Sequence, residues 1–327
     1  MNATDTAELI SNANKILVIQ AENPDMDSLG SALGVESILG EMGKVVQLYC
    51  PVDIPRHLRY LEGWSRVTSE PQIDFDLSIV VDTSAATLLE KVTENSQLNQ
   101  KISKKPVIVF DHHDNEPDLP WPETIYHVDS TAVAATQVVY NFAKQQGWKI
   151  DATAAEALAA GLLSDSLGFT SVKTTADSIH MLAELVEQGL NVSQLDEARR
   201  SVGKKSLDII KFKGQLLQRI EYYLDNRFAI TTVSLDEIKE YSDKYNPGML
   251  VLEELRQAEG IEVGLVLKDY GDRITGKLRA NTAMICDQIA GHFGGGGHPY
   301  AAGFKTSDWS IDELKKEVVK ITQELLG

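Results

Sequence analysis

Four short apolar runs constrain the fold more than anything else in the chain: "KILVIQ" (15–20), "VVQLYC" (45–50), "LSIVVD" (77–82) and "PVIVFD" (106–111). They are rich in Val, Ile and Leu without alternating polarity, the pattern of strands buried on both faces of a parallel sheet. Helical periodicity lies between or after them, over 29–42, 131–147, 151–163, 175–188 and 192–200. This interleaving predicts an α/β fold with a doubly wound, mainly parallel sheet, in which ligands bind beyond the carboxyl ends of the strands. The segment 201–223 reads as a long helix of mixed charge linking this domain (1–200) to a smaller α+β domain (224–327). The second domain is expected to contain a strand at 227–235, a helix near 248–257 and a hairpin over 261–281. A helix near 284–293, the low-complexity run "GGGG" (294–297), a short strand near 301–305 and a terminal helix from about 310 complete it.

At 327 residues, with 43% hydrophobic and 24% charged residues, the chain has the composition of a globular protein with room for two cores. No apolar run reaches the length of a membrane span, and the opening "MNATDTAELISNANK" lacks the basic-then-apolar layout of a secretory signal. Cys50 and Cys286 stand far apart with no Cys/His cluster, so they are expected to be reduced thiols in a cytoplasmic protein. The net charge of −17 argues against gripping long duplex nucleic acid, whose binding depends on phosphate neutralisation. Small anionic ligands remain compatible if metal ions and a few cations concentrate positive charge in one cleft.

The acids cluster where the predicted sheet ends. "AENPDMDSLGS" (21–31) places Asp25 and Asp27 at a strand-to-helix turn, where a helix cap is the simplest explanation. Asp82 ends the run 77–82, "DHHDN" puts Asp111, His112 and His113 after the run 106–111, and Asp165 stands where the helix from 151 stops. Caps explain any one of these but not all of them, because Asp82 and Asp111 end strands and buried unpaired carboxylates are costly. Carboxylates and imidazole without cysteine suit Mn²⁺ or Mg²⁺ better than structural zinc. Two such ions can activate water and clamp a phosphoryl group, and Asp82 is the central carboxylate expected to bridge them.

These motifs resemble the DHH family of phosphoesterases, which includes RecJ-like nucleases, nanoRNases and family II pyrophosphatases. "NPDMDSLGS", "VVDTS", "DHH" and "LLSDSLGF" match its four N-terminal motifs in order, and "GKLRAN" with "FGGGGHPYAAGF" matches its DHH-associated C-terminal domain. The resemblance implies two Mn²⁺ ions, with Mg²⁺ as the alternative: Asp25 and Asp82 on one, and Asp27, Asp82, His112 and Asp165 on the other. It implies His113 as hydrogen-bond donor or general acid at the scissile phosphate, with Asp111 supporting from behind. Arg279, Gly295, Gly296, Gly297 and His298 would hold substrate as the domains close over it.

Members of the pyrophosphatase branch lack the glycine signature, and RecJ-type exonucleases carry extra domains. The resemblance therefore implies hydrolysis of short RNA or DNA oligonucleotides, of 3′-phosphoadenosine 5′-phosphate, or of cyclic or linear dinucleotides. It leaves room for a homodimer. The chain departs from the family at Ala21, where members usually carry a metal-binding histidine. Water could fill that position, another residue such as Glu22 or His127 could replace it, or the first ion could be lost. That last outcome would make the chain a catalytically impaired nucleotide-binding protein.

Overall fold

The structure is a computed structural model that describes residues 3–71, 74–242 and 246–327. The chain divides into two compact units, Met1–Lys204 and Lys205–Gly327. Among the described residues, no helix is long and apolar enough to cross a membrane.

The first unit runs α1 (Ala3–Asn12), β1 (Lys15–Ile19), α2 (Met26–Glu41), β2 (Val45–Tyr49), β3 (Leu77–Val81), α3 (Glu90–Glu94) and α4 (Ser96–Ile102). It continues with β4 (Val107–Asp111), β5 (Thr124–Val128), α5 (Ala135–Gln145), α6 (Ala152–Asp165), α7 (Ala176–Glu187) and α8 (Val192–Val202). Its five strands form one sheet in the order β2-β1-β3-β4-β5, with every pair parallel. The expected doubly wound sheet is therefore present. Alternate residues of β1 feed opposite layers: Ile16 and Val18 join the core that includes α2, α5 and α6, while Leu17 and Ile19 join the core of α3 and α4. The chain leaves β1 toward β2 and returns to β3 on the other side, so a crevice opens at the carboxyl ends of β1 and β3. Four elements of this unit lie outside the sequence expectation: α1, α3, α4 and the edge strand β5, whose "TIYHV" is short and only partly buried.

The helix expected over 201–223 is not continuous. Helix α8 ends at Val202 with Gly203 behind it, and Ser206 caps a separate helix, α9 (Leu207–Gln218), by accepting from the Ile209 amide. Ile209, Phe212 and Leu216 of α9 are buried in the second unit's own core, so this helix is not a solvated connector. The last residues of the segment form β6 (Glu221–Tyr223), antiparallel to β7 (Phe228–Val233).

The second unit then contains α10 (Leu235–Tyr241), α11 (Pro247–Gln257), β8 (Val263–Asp269), β9 (Ile274–Ala280), α12 (Cys286–His292), β10 (Gly296–His298), β11 (Ala301–Thr306) and α13 (Ile311–Leu326). The sheet order is β10-β11-β9-β8-β7-β6, antiparallel except between β7 and β8. Half of the glycine run is thus strand rather than loop.

Packing of α2 on α6 positions the front of the first unit. A Cβ on Gly30 would lie 2.5 Å from the Ala157 carbonyl oxygen, and one on Gly161 would lie 2.7 Å from Asp27 Oδ1 and 3.0 Å from Asp27 Cα. The two helix backbones approach closely because neither glycine has a side chain. By contrast, a Cβ on Gly40 near the end of α2 would meet nothing within 4 Å. Gly30→Ala should therefore destabilise the protein by about 1–3 kcal/mol. Gly40→Ala should stabilise it by about 0.4–1 kcal/mol, and paired denaturant melts would check both signs.

Candidate metal centre

Each acid reaches the β1/β3 crevice by a different local device. Asp25 is the N-cap of α2: its Oδ1 accepts from the Ser28 amide at 2.9 Å, and Ser28 Oγ accepts from the Asp25 amide at 3.1 Å. Asp27, in the first turn of α2 and fully buried, accepts from the Ala135 amide at 2.5 Å, the Thr136 amide at 3.0 Å and Thr136 Oγ1 at 2.8 Å. The amino end of α5 thus fixes this carboxylate, a support absent from the motif reading.

Asp82 follows β3 in a left-handed conformation (φ +61°), which costs a non-glycine residue about 1–2 kcal/mol. Its amide is tied to the Phe110 carbonyl at 2.8 Å, and its buried Oδ1 has no hydrogen-bond partner. Asp111 closes β4 and accepts from the His112 amide at 2.8 Å, the His113 amide at 3.2 Å and His113 Nδ1 at 2.8 Å. Asp165 is the last residue of α6, one turn beyond Gly161.

These devices converge on His112. Its buried Nε2 makes no hydrogen bond, and stands 3.7 Å from Asp27 Oδ2, 3.6 Å from Asp82 Oδ1 and 3.6 Å from Asp165 Oδ2. Such separations are too long for hydrogen bonds and near those of atoms each roughly 2.0–2.2 Å from one shared ion. His113 Nδ1 lies 3.9 Å from Asp82 Oδ1 on the other side. Among the described residues two groups have metal-holding geometry, Asp27–His112–Asp165 and Asp82–His112–His113; Asp25 is in neither.

The electrostatics favour a cation. Burial lifts Asp82 well above the usual carboxylate range, and Asp27, Asp25 and Asp165 add repulsion. Asp165 is raised to about 8, by burial first and then by Asp27 and Asp25. Burial also raises Asp27, against the pull of His112 and the Ala135 and Thr136 bonds. The histidines separate: burial holds His112 low, as a neutral ligand requires, whereas the bond to Asp111 raises His113. Burial pushes Asp111 up, but bonds from His113 and Ser84 outweigh it and leave Asp111 at about 2. The Asp111 bond thereby favours the protonated form of His113 beside the carboxylates.

The residues around Ala21 are committed elsewhere. The Ala21 carbonyl accepts from the Cys50 thiol at 3.4 Å, and burial pushes that thiol up to about 11. Glu22 accepts from the Lys91 amide at the start of α3. His127 bonds Thr6 Oγ1 at 2.9 Å and stacks on Phe110 at 5.3 Å within the layer beneath. Neither residue belongs to the two groups with metal-holding geometry among the described residues.

In the second unit, Arg279 on β9 lies half-buried opposite Ala301, and its guanidinium donates to the Leu278 carbonyl at 2.9 Å. Two of the glycines have packing reasons: a Cβ on Gly295 would lie 2.2 Å from the Gly303 carbonyl oxygen, and one on Gly297 (φ +144°) 2.6 Å from that of Ala301. Gly296 and His298 are exposed on the edge strand.

Residues 15–162 match the DHH family, N-terminal domain. The bifunctional oligoribonuclease and PAP phosphatase NrnA of Bacillus subtilis is 24% identical over 98% of this chain and 99% of its own length. An exopolyphosphatase-related protein from Bacteroides fragilis shares the fold at a TM-score of 0.78, with 19% identity over 99% of this chain and 97% of that one. An exonuclease RecJ solved with manganese gives 0.51 at 15% identity, over 99% and 94% of the two chains. The order and placement of the DHH motifs agree with this match.

A pH consequence follows for the metal-free protein. Asp82 and Asp165 titrate higher folded than unfolded, so across about pH 4–8 the folded state retains protons that the unfolded chain has released. Stability without metal should therefore fall as pH rises through that window. Melts in chelator should show a falling Tm, and saturating Mn²⁺ should remove or reverse the slope.

Proposed function

We propose that this protein is a DHH-family, metal-dependent phosphoesterase of short nucleotide substrates, namely oligonucleotides of a few residues and 3′-phosphoadenosine 5′-phosphate. The observation that carries this reading is the convergence of three carboxylate oxygens on the unpartnered Nε2 of His112 at 3.6–3.7 Å. Asp27, Asp82, His112 and Asp165 would hold one divalent ion, Mn²⁺ or Mg²⁺, and Asp82 with Asp25 a second and weaker one. Bound there, divalent ions neutralise phosphoryl charge and lower the pKa of attacking water.

The chain's own groups do the rest. His113, oriented by Asp111 through Nδ1, presents its other ring nitrogen to a phosphate oxygen and can donate a proton there. Asp111 acts through His113 and the two amides it accepts from, so it is a positioning residue. In the second unit, Arg279 offers a guanidinium suited to a terminal phosphate. The exposed edge at Gly296 and His298, beside Gly295 and Gly297, would approach the same class of ligand. The name and full-length similarity of the Bacillus subtilis relative support this substrate class, and the charge of −17 supports short over long strands.

Ala21 favours a second reading, a nucleotide-binding protein with impaired catalysis, because Glu22 and His127 are both engaged elsewhere. Mn²⁺ titration should reveal two unequal sites, with hydrolysis following the weaker. Ala21→His should tighten that site by at least roughly 10–100-fold, the range that loss of supporting groups alone produces. No change in either Mn²⁺ affinity or rate would contradict the assignment.

Asp82→Ala should reduce hydrolysis of a dinucleotide by more than about 100-fold, beyond the cost of losing a supporting group, and remove most Mn²⁺ binding. Wild-type turnover in that variant would reject the metal centre. Across a ladder of RNA lengths, rates should be highest at two to about five nucleotides and fall on long strands, as repulsion from the acidic surface demands. Equal rates on a long strand would reject the short-substrate reading.

A further inference from the structure

A cavity of about 490 Å³ lies in the first unit, between the last turns of α6, the start of α8 and the loop carrying Tyr60. Its lining includes none of the candidate metal ligands, although Ser164 and Leu167 flank Asp165 in sequence. Gly161 packs against Asp27 and Asp165 faces His112, whereas Ala160 and Leu163, on another side of α6, line the cavity. Leu163, Val192 and Leu195 supply aliphatic walls and Tyr60 a ring.

Asp196 and Arg199 supply its charge, paired at 2.6 Å, and the neighbouring Arg200 takes the other oxygen of Asp196 at 2.7 Å. Two guanidinium groups on one carboxylate leave a positive charge in excess, with Arg199 still largely exposed. Apolar walls with an aromatic ring suit a planar base, and the surplus cation suits an anionic group attached to it. The volume falls within the ordinary small-molecule range of roughly 300–1,000 Å³.

The cavity also touches an unusual backbone. Leu167, Gly168 and Phe169 are all left-handed (φ +53°, +66° and +67°), immediately after Asp165 and Ser166. Leu167 and Gly168 line the cavity, and the turn is tied to the end of α6 by Gly168 N to Leu163 O at 2.9 Å and Phe169 N to Ser166 Oγ at 3.1 Å. A ligand pressing on this turn bears on the helix end that presents Asp165.

We propose that the cavity is a regulatory site for a nucleoside monophosphate, coupled to the metal centre through the Leu167–Phe169 turn. This rests on the phosphoesterase reading for its ligand class, since nucleoside monophosphates are what cleavage of short oligonucleotides releases. Occupancy would let accumulated product act back on the centre from a position outside it.

The test is calorimetric titration of the full chain with AMP, first in chelator, where the metal centre cannot hold phosphate. AMP should bind, and adenosine and inorganic phosphate should each bind more weakly. Arg199→Ala, which removes the anion's partner, and Val192→Trp, which fills the space, should each weaken AMP by about tenfold or more. Asp82→Ala and Arg279→Ala should leave it unchanged, with circular dichroism confirming that every variant is folded. AMP and Mn²⁺ should alter each other's dissociation constant by one common factor, as linkage requires.

The proposal is overturned by absence of AMP binding at millimolar concentration, by binding that ignores Arg199 and Val192 but follows Asp82 or Arg279, or by AMP and Mn²⁺ binding independently. An inactive chain that binds AMP through Arg199 keeps the site and rejects the hydrolytic reading. An active chain that fails the titration does the reverse.

Discussion

The metal centre depends on one close contact, the approach of α2 to α6 at Gly30 and Gly161. The hypothetical Cβ of Gly161 falls 3.0 Å from Asp27 Cα, so any side chain there would push α2 away from α6. That movement would carry Asp27 from the α5 amides and separate it from Asp165, one turn beyond Gly161 on the same helix. Because packed interiors yield little, ligand spacing around His112 is set by this backbone contact as much as by the acids themselves.

Around that contact the protein maintains an arrangement that is unfavourable without a cation. Asp25 and Asp27 stand close enough to Asp82 and Asp165 to raise both, Asp82 holds a left-handed conformation, and buried atoms of Asp82 and His112 lack partners. Each feature costs stability, and one divalent ion would relieve the repulsion while satisfying the orphaned donor atoms. The same neighbourhood sorts two adjacent histidines into different roles. Burial lowers the pKa of His112, and the hydrogen bond to Asp111 raises that of His113. Neighbours in sequence thus titrate in opposite directions through environment alone.

The second unit uses glycine for a different purpose. Gly295 and Gly297 let β10 lie against β11 where backbone oxygens leave no room for a Cβ, so half of the run reflects sheet packing. Gly296 remains open and exposed beside His298, which limits the anion-binding interpretation to the outer edge of the hairpin.

Much of this was already legible in the residues. Unalternating apolar runs required a parallel sheet because strands covered on both faces have no solvent side, and acids at four run ends required something to neutralise them. The 201–223 segment misled because a helical pattern of charge and apolar residues does not reveal that Gly203 and Ser206 interrupt it, or that Ile209 and Phe212 are buried in the second core. Sequence also determined that Ala21 cannot bind a metal, since a methyl group has no lone pair. Only the tertiary structure decided that Glu22 and His127 are engaged elsewhere. It likewise decided that the α5 amides hold Asp27, because partners more than a hundred residues apart meet only once the sheet and its helices have packed.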